Sequence, residues 1–422
     1  MTHSSPTSFL PTLFGIIKSR ISHQRNRLKR LLSKHRCISL KTEGPARGNV
    51  LLSYIDLPFT LKPGQPLPNT HSEFAESLEM AETFLERGYN VDVISFQNDT
   101  FVPKKDYAFF IDTRRNFQRL APVINKNCVK IMHINAAHVL FHDAATVRRL
   151  LEVQELKGVT LRLRRFEVPY FAIEQAHYAT ILGNEFTMGT YKFAHKPLYR
   201  VPITSPVVYD WPEEKNFDAC RKRFIWFGSG GLAHKGLHLV LEAFAQMPEL
   251  ELIVCGPIKD EEDFEKAYYK ELYETPNIRT VGWMDISSPE FVALTNECLG
   301  LLFPSCSEGQ CGSVVTAMNA SLIPILSYEC GVDVGDYGLI LRENTIEEIK
   351  NSARLIAGLP ASKLEHMARE SWKYARENHT REAFGRKYRT AIDEIFATVG
   401  LSHATEKVAL VQRPAGVATV AT

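Results

Sequence analysis

The sequence predicts an α/β protein made of two doubly wound, parallel-sheet domains that face each other across a cleft. Three observations predict it. A chain of 422 residues exceeds what one hydrophobic core organises, because cores stop growing near ~250–300 residues. From Asn49 onward, short apolar runs alternate with amphipathic helical stretches, the pattern of parallel sheets wound by crossover helices. That series pauses at the proline-rich segment Pro202 to Pro212 and then starts again. Composition agrees: 45% hydrophobic and 23% charged residues are ordinary for a globular protein. The net charge of +2 gives no global pull toward nucleic acid, which is not expected as a partner.

The first 46 residues stand apart. Phe9, Leu10, Leu13, Phe14, Ile16 and Ile17 precede a basic run of Lys18, Arg20, Arg25, Arg27, Lys29, Arg30, Lys34 and Arg36, with no acidic residue up to Lys41. Leu28, Leu31 and Leu32 recur at helical spacing within it. Two readings stand: an interfacial helix over residues 9–41 drawn to anionic lipid, or a solvated basic arm. A secretory signal fits less well, because the charges follow the apolar patch. No apolar run reaches the ~18–20 residues that span a bilayer. Eight scattered cysteines form no C-x-x-C pair, which points to free thiols in a reducing cytoplasm and to no metal site. The expected location is therefore cytoplasmic, with peripheral attachment to the inner face of the membrane if the arm binds lipid.

The N-terminal domain is expected over residues 47–205. Asn49 to Ile55 is an apolar strand, and Asp56 to Pro68 a proline-rich loop. Thr70-x-x-Glu73 reads as a capping box that opens a helix from Phe74 to Arg87, with Gly88 as its stop. Further strands are expected at Tyr89 to Phe96, Tyr107 to Ile111, Val129 to His133 and Tyr178 to Gly183. Ligands of open α/β sheets bind outside the carboxyl ends of strands, so His133 at a strand end is a candidate site residue. His138 and His142 follow in the loop, and each alone is more often a polar loop residue. Arg162, Arg164 and Arg165 form a basic cluster; such clusters are usually solvated surface, though an anionic acceptor can use one.

Residues 206–380 are expected to form the C-terminal domain. Arg223 to Phe227 is a strand, followed by the loop GSGGLAHKG over Gly228 to Gly236 and a helix with Leu237, Val240, Leu241 and Phe244 on one face. Strands follow at Leu250 to Cys255 and Ile278 to Val281, and a helix at Pro289 to Cys298. Leu299 to Phe303 is a buried strand ending at Pro304. Its loop carries Glu308 among Ser305, Ser307, Gly309, Gly312 and Ser313, ahead of a helix from Val314 to Ala320 and a strand from Leu322 to Leu326. After Tyr337 to Leu341 come helices at Ile346 to Leu359 and Ala361 to Asn378. The helix Arg381 to Val399 is expected to cross back to the first domain, and residues 400–422 to form a flexible tail.

The two glycine-containing turns carry the chemistry. A strand, a glycine-rich loop and a helix N-terminus make an anion site, because free N–H groups and the helix dipole favour negative charge. Glycine after a strand often only makes a turn, so each turn alone is weak. Lys235 sharpens the first: a lysine at a helix start opposes the dipole by ~0.3–1 kcal/mol unless an anion sits beside it. A diphosphate would satisfy it and use the backbone of Ser229, Gly230 and Gly231. The spacing is neither G-x-x-x-x-G-K-[ST] nor G-x-G-x-x-G. Glu308 adds a carboxylate that can accept sugar hydroxyls through charge-assisted bonds worth ~1.5–3 kcal/mol each.

These turns resemble the C-terminal half of GT-B glycosyltransferases, specifically the large retaining family marked by an E-x7-E motif. The resemblance rests on Ser305, Glu308, Gly309, Gly312, Ala317, Met318, Ala320 and Pro324-Ile325, and on Lys235 in a G-x-x-x-x-K-G-like segment. It covers about Arg223 to Val399 and is looser before that. It implies a GT-B fold and transfer of a sugar, with retention, from a nucleotide-sugar donor to a glycan or lipid-linked acceptor. No cofactor and no metal are implied, and no D-x-D stands beside a strand end. By resemblance Glu308 contacts the donor sugar, His133 lies near the reacting centre, and Lys235 binds the diphosphate. Gly309, Gly312, Ser313 and Val314 would present N–H groups to sugar and phosphate. N-domain loops from Asp56 to Asn69 and Ile134 to Val147, with Asn69 and His138, would hold the acceptor.

The sequence departs from that family at three places, one of them Gln310 and Cys311 in place of the aromatic-glycine pair usual after E-G. Thr316 stands where the second Glu would grip the ribose, and Ser229 stands where an arginine often assists the lysine. Two other readings follow: a sugar-nucleotide-binding protein without catalysis, kept open by Thr316, and a GT-B epimerase or phosphorylase.

Overall fold

The computed structural model describes residues 35–401 and 419–420. The first sheet contains β1 (Cys37–Leu40), β2 (Gly48–Tyr54), β3 (Tyr89–Ser95), β4 (Phe109–Asp112), β5 (Val129–Ile134), β6 (Tyr178–Leu182) and β7 (Leu198–Val201), in the order β1-β3-β2-β4-β5-β6-β7. From β2 to β7 all pairings are parallel, and the strand interiors are apolar because helices cover both faces. A short strand, β8 (Val208–Tyr209), then leads to the second sheet. That sheet holds β9 (Arg223–Phe227), β10 (Glu251–Cys255), β11 (Ile278–Gly282), β12 (Gly300–Phe303), β13 (Ile323–Ser327) and β14 (Leu339–Leu341), ordered β11-β10-β9-β12-β13-β14. All its pairings are parallel. A two-residue strand, β15 (Thr419–Val420), pairs with β8.

Strand order places the site. In the second sheet the winding reverses between β9 and β12, and in the first between β2 and β4. Ligands bind at such switch points, outside the carboxyl ends of the strands. The loops after β9 and β12 are the two glycine-containing turns. They face the loops that follow β2, β4 and β5 across the interdomain cleft.

Several expectations change. The last residues of the basic arm are part of the first domain: β1 pairs antiparallel with β3, and Ser39 Oγ donates to Asp92 Oδ1 at 2.7 Å. Residues 1–34, with most of the lipid-binding reading, lie outside the described residues. Among the described residues no helix is long and apolar enough to cross a membrane. The capping box at Thr70 and Glu73 is not formed: the helix is Glu73–Leu85, its N-cap is Ser72, and no side chain caps it. The loop expected to reach Val147 ends at His138, where the helix Val139–Lys157 begins. Exposed Leu140, Phe141, Val147 and Leu151 had blurred that helix's apolar period. Leu198 to Val201 was not expected as a strand and is β7.

Two helices join the domains. Arg381–Thr398 packs on the first domain, with Phe396 stacked on Phe109 at 4.8 Å and Arg381 Nε on Glu79 Oε1 at 2.6 Å. Val139–Lys157 runs in the other direction, along the second domain. Arg149 Nη2 donates to the Pro304 carbonyl at 3.1 Å, and Lys157 Nζ pairs with Glu242 and Glu271, each at 2.7 Å.

Candidate active site

The cleft encloses about 570 Å³ and takes walls from both domains. Lys235 and Glu308 meet at its floor. They come from the adjacent loops after β9 and β12, and Lys235 Nζ lies 2.6 Å from Glu308 Oε1. Ser305 Oγ donates to the same oxygen at 3.1 Å, and Arg165 Nη2 reaches Glu308 Oε2 at 3.4 Å. Burial alone would raise the Glu308 carboxyl pKa. The Lys235 ammonium and then the Arg165 guanidinium win, and hold it well below the usual carboxylate range. Glu308 is therefore an acceptor-only carboxylate, which suits neutral hydroxyls.

Trp226 and Phe303 fix the two loops from below. Their rings stack at 5.9 Å, and Trp226 Nε1 donates to the Lys235 carbonyl at 3.2 Å. Gly236 is required here: it has φ +71°, and a Cβ on it would lie 2.3 Å from the Pro304 carbonyl oxygen. A histidine pair ties the same loops to the first domain. His142 Nε2 donates to the Arg165 carbonyl at 2.6 Å, and its Nδ1 faces Ser307 Oγ at 3.2 Å. His234 Nε2 donates to the Ser307 carbonyl at 2.6 Å, while its Nδ1 lies 2.9 Å from Thr146 Oγ. Burial pushes His234 down to about 3 and lowers His142 as well, which favours the neutral form of each ring.

Of the residues read from the sequence, Lys235, Ser229, Glu308, Gly312, Ser313, Thr316 and Asn69 line the cleft. Asn69 Nδ2 bridges the domains at the cleft wall, donating to Asp285 Oδ1 at 2.7 Å and Ser287 Oγ at 2.8 Å. Others do not line it. His133 is fully buried inside β5, beneath the Arg381–Thr398 helix, with its ring edge-on to Tyr54 at 5.3 Å and Phe384 at 6.3 Å. Its Nδ1 lies 2.9 Å from Thr180 Oγ, and burial lowers its pKa to about 3. The strand runs on to Ile134, and the His133 side chain packs inside the fold rather than lining the cleft. His138 caps the Val139–Lys157 helix and packs on Tyr191 and Phe193.

The glycine and valine donors are also redistributed. The Glu261 carboxylate takes the Gly231 N–H and, at 3.3 Å, the Leu232 N–H, so this end of the loop already has its anion. Gly230 faces the same carboxylate. Gly309 lies at the domain contact, where Thr187 Oγ donates to its carbonyl at 3.2 Å. Val314 is wholly buried in the core, so the helix Gly312–Asn319 meets the cleft through Gly312, Ser313 and Thr316.

Sequence reasoning did not bring Asn135, Glu73 or Arg165 to the cleft, and it read Gln310 only as a departure from the family's pattern. Asn135 Nδ2 donates to Glu73 Oε1 at 3.0 Å, and Gln310 Oε1 accepts from the Ile203 N–H at 2.6 Å. A usable signal existed only for Arg165, which belongs to the three-arginine cluster in a loop otherwise rich in apolar residues. Among the described residues no three His, Cys, Asp or Glu side chains gather as metal ligands.

Comparison with known proteins agrees with the architecture. Residues 221–357 match the family model described as glycosyl transferases group 1. No protein of curated function matches the sequence. Among solved structures, sucrose-phosphate synthase from Thermosynechococcus elongatus is similar with a TM-score of 0.56 at 12% identity, over 83% of this chain and 100% of that one. Anabaena HepE, in complex with UDP-glucose, is similar with a TM-score of 0.51 at 13% identity, over 82% of this chain and 100% of that one. The chain spans about half, 54%, of Staphylococcus aureus TarM, at 11% identity, over 67% of this chain and with a TM-score of 0.47. The chain thus has GT-B architecture, and within its second domain residues 221–357 are similar to the group 1 glycosyl transferases.

Proposed function

We propose that the protein transfers a sugar from a nucleoside-diphosphate sugar to a glycan or lipid-linked acceptor, with retention of configuration. The Lys235–Glu308 pair at the switch point of the second sheet carries this reading. A cation and a hydroxyl-accepting carboxylate side by side match the junction of a diphosphate and a sugar. Donor binding inserts phosphate oxygens beside Lys235 and leaves Glu308 to orient a sugar hydroxyl. As the glycosidic bond breaks, the charge on the leaving diphosphate grows beside Lys235 and the first turn of the Gly312–Asn319 helix. Such preorganised charge is the usual main source of rate enhancement. The acceptor approaches from the first-domain wall formed by Asn69, Glu73, Asn135 and Glu167. No side chain of the cleft is assigned as a covalent nucleophile. The structure of HepE holds UDP-glucose, which makes uridine donors the first to test.

A second reading, donor binding without transfer, is favoured by Thr316. It is 3% exposed and lines the cleft where a second carboxylate would grip ribose. A panel of uridine, guanosine and adenosine diphosphate sugars decides, assayed for nucleoside diphosphate release with and without oligosaccharide and polyprenyl-linked acceptors. Acceptor-dependent release that is lost in E308A and K235A supports transfer. Thermal stabilisation without release supports the binding reading. Donor conversion with no diphosphate released points to an epimerase.

A further inference from the structure

The turn after β9 brings a single lysine to a ligand that carries at least two negative charges, and Ser229 leaves the usual place of a second cation empty of charge. We infer that Arg165, delivered by the opposite domain, is the second cation of the diphosphate site. This rests on the donor reading above.

Four observations converge on it. Arg165 lines the same cleft as Lys235 and Glu308, and its side chain is 38% exposed where that of Lys235 is 4% exposed. It therefore reaches the open part of the cleft while Lys235 stays at the floor. The other arginine of the cleft wall, Arg114, is held by Glu167. Among the described residues the Arg165 guanidinium makes one hydrogen bond, a long one to Glu308 Oε2 at 3.4 Å. A guanidinium has five N–H donors, so most remain for a ligand.

The backbone is built to aim this side chain. Arg165 has φ +59°, a left-handed conformation that an L-residue adopts at a cost, and strain of this kind gathers at ligand clamps. His142 holds that conformation by donating to the Arg165 carbonyl at 2.6 Å. Next to it, Arg164 is anchored to Asp263 at 2.7 Å, which fixes the loop to the second domain. Gly231 provides the track: a Cβ there would meet Arg165 Cγ at 2.7 Å and Cδ at 3.1 Å. The glycine leaves room for the arginine stem, while its N–H serves Glu261.

A clamp with one cation from each domain has a consequence. The diphosphate is held fully only when the domains are together, so donor binding and cleft closure are one event. Arg165 then leaves Glu308 for the phosphate and frees that carboxylate oxygen for the sugar.

The test is calorimetric titration of the full chain with UDP, GDP and ADP, using the tightest binder for the variants. R165A is expected to weaken binding ~10–100-fold, the size of a lost charge-assisted bond. R165K, a point charge without the fork, should fall between R165A and the wild type. The unliganded melting temperature, measured alongside, should stay close to the wild type for R165K, which separates ligand contact from a folding defect. Equal or tighter binding by R165A overturns the inference while the donor reading stands. A wild-type chain that binds none of the three diphosphates overturns both.

Discussion

Lys235 and Glu308 share a hydrogen bond of 2.6 Å between loops of neighbouring strands, and both side chains are at most a tenth exposed. Removing one partner leaves the other charged and buried, which costs ~3–5 kcal/mol in such pairs. Ser305 and Arg165 remain beside Glu308, so K235A should lie near the low end, at about 3 kcal/mol. The double variant K235M/E308L should be less destabilised than K235A. Urea unfolding of the wild type and the two variants checks this; a double variant destabilised as much as K235A or more contradicts it.

Gly309 touches the first domain directly. A Cβ on it would lie 2.3 Å from the Asn135 carbonyl oxygen, and Gly331 is packed against its own carbonyl. G309A therefore pushes Asn135 and Ala136 away and opens the domain contact, at about 1–3 kcal/mol for an overpacked site. Faster proteolysis of the Pro202 to Pro212 linker and weaker diphosphate binding are expected, with both domains still folded. Unchanged binding and proteolysis would show that the contact is soft.

His133 lies buried, away from the cleft lining. It packs under Phe384 and Tyr388, and its Nε2 has no hydrogen-bond partner among the described residues. H133A should leave a cavity and destabilise by about 2–4 kcal/mol. Diphosphate release by the folded fraction should stay within about threefold of wild type. A loss of turnover at full stability would restore a catalytic role.

The alternation of elements made both sheets legible, because strands buried on two faces read as continuous apolar runs. The positions of Lys235 and Glu308 at the cleft were legible too, since both sit in loops directly after such strands. The opposite wall was not. Arg165 reaches the site only because the chain after Lys157 doubles back along its own helix, and nothing local encodes that path. A strand-end position does not tell which face of the sheet a side chain takes, and His133 takes the face covered by the Arg381–Thr398 helix. The roles of Gly231 and Gly309 were hidden for a related reason: what fills the space beside a glycine is a tertiary fact.

Glu76 supplies a pH prediction. It is fully buried, accepting from Tyr54 OH at 3.1 Å and from the Thr204 N–H at 3.1 Å, and burial pushes its carboxyl up to about 8. The fold thus favours the protonated form. Its contribution is complete below the carboxyl's unfolded value and is lost as pH rises toward 8. Histidines that are neutral when buried, such as His133 and His234, gain protons near pH 6.5 only on unfolding, so the useful quantity is the difference from E76Q. The stability of wild type relative to E76Q should fall between pH 6 and pH 8, by at most ~1.4 kcal/mol per pH unit. A flat difference would show that Glu76 is ionised in the folded protein.

The cleft as a donor site is tested most directly by a crystal structure with the donor that gives the strongest diphosphate release. The diphosphate should lie within ~3 Å of Lys235 Nζ, with a sugar hydroxyl on a Glu308 oxygen. A diphosphate bound away from Lys235, with the Lys235–Glu308 pair intact, would contradict the account.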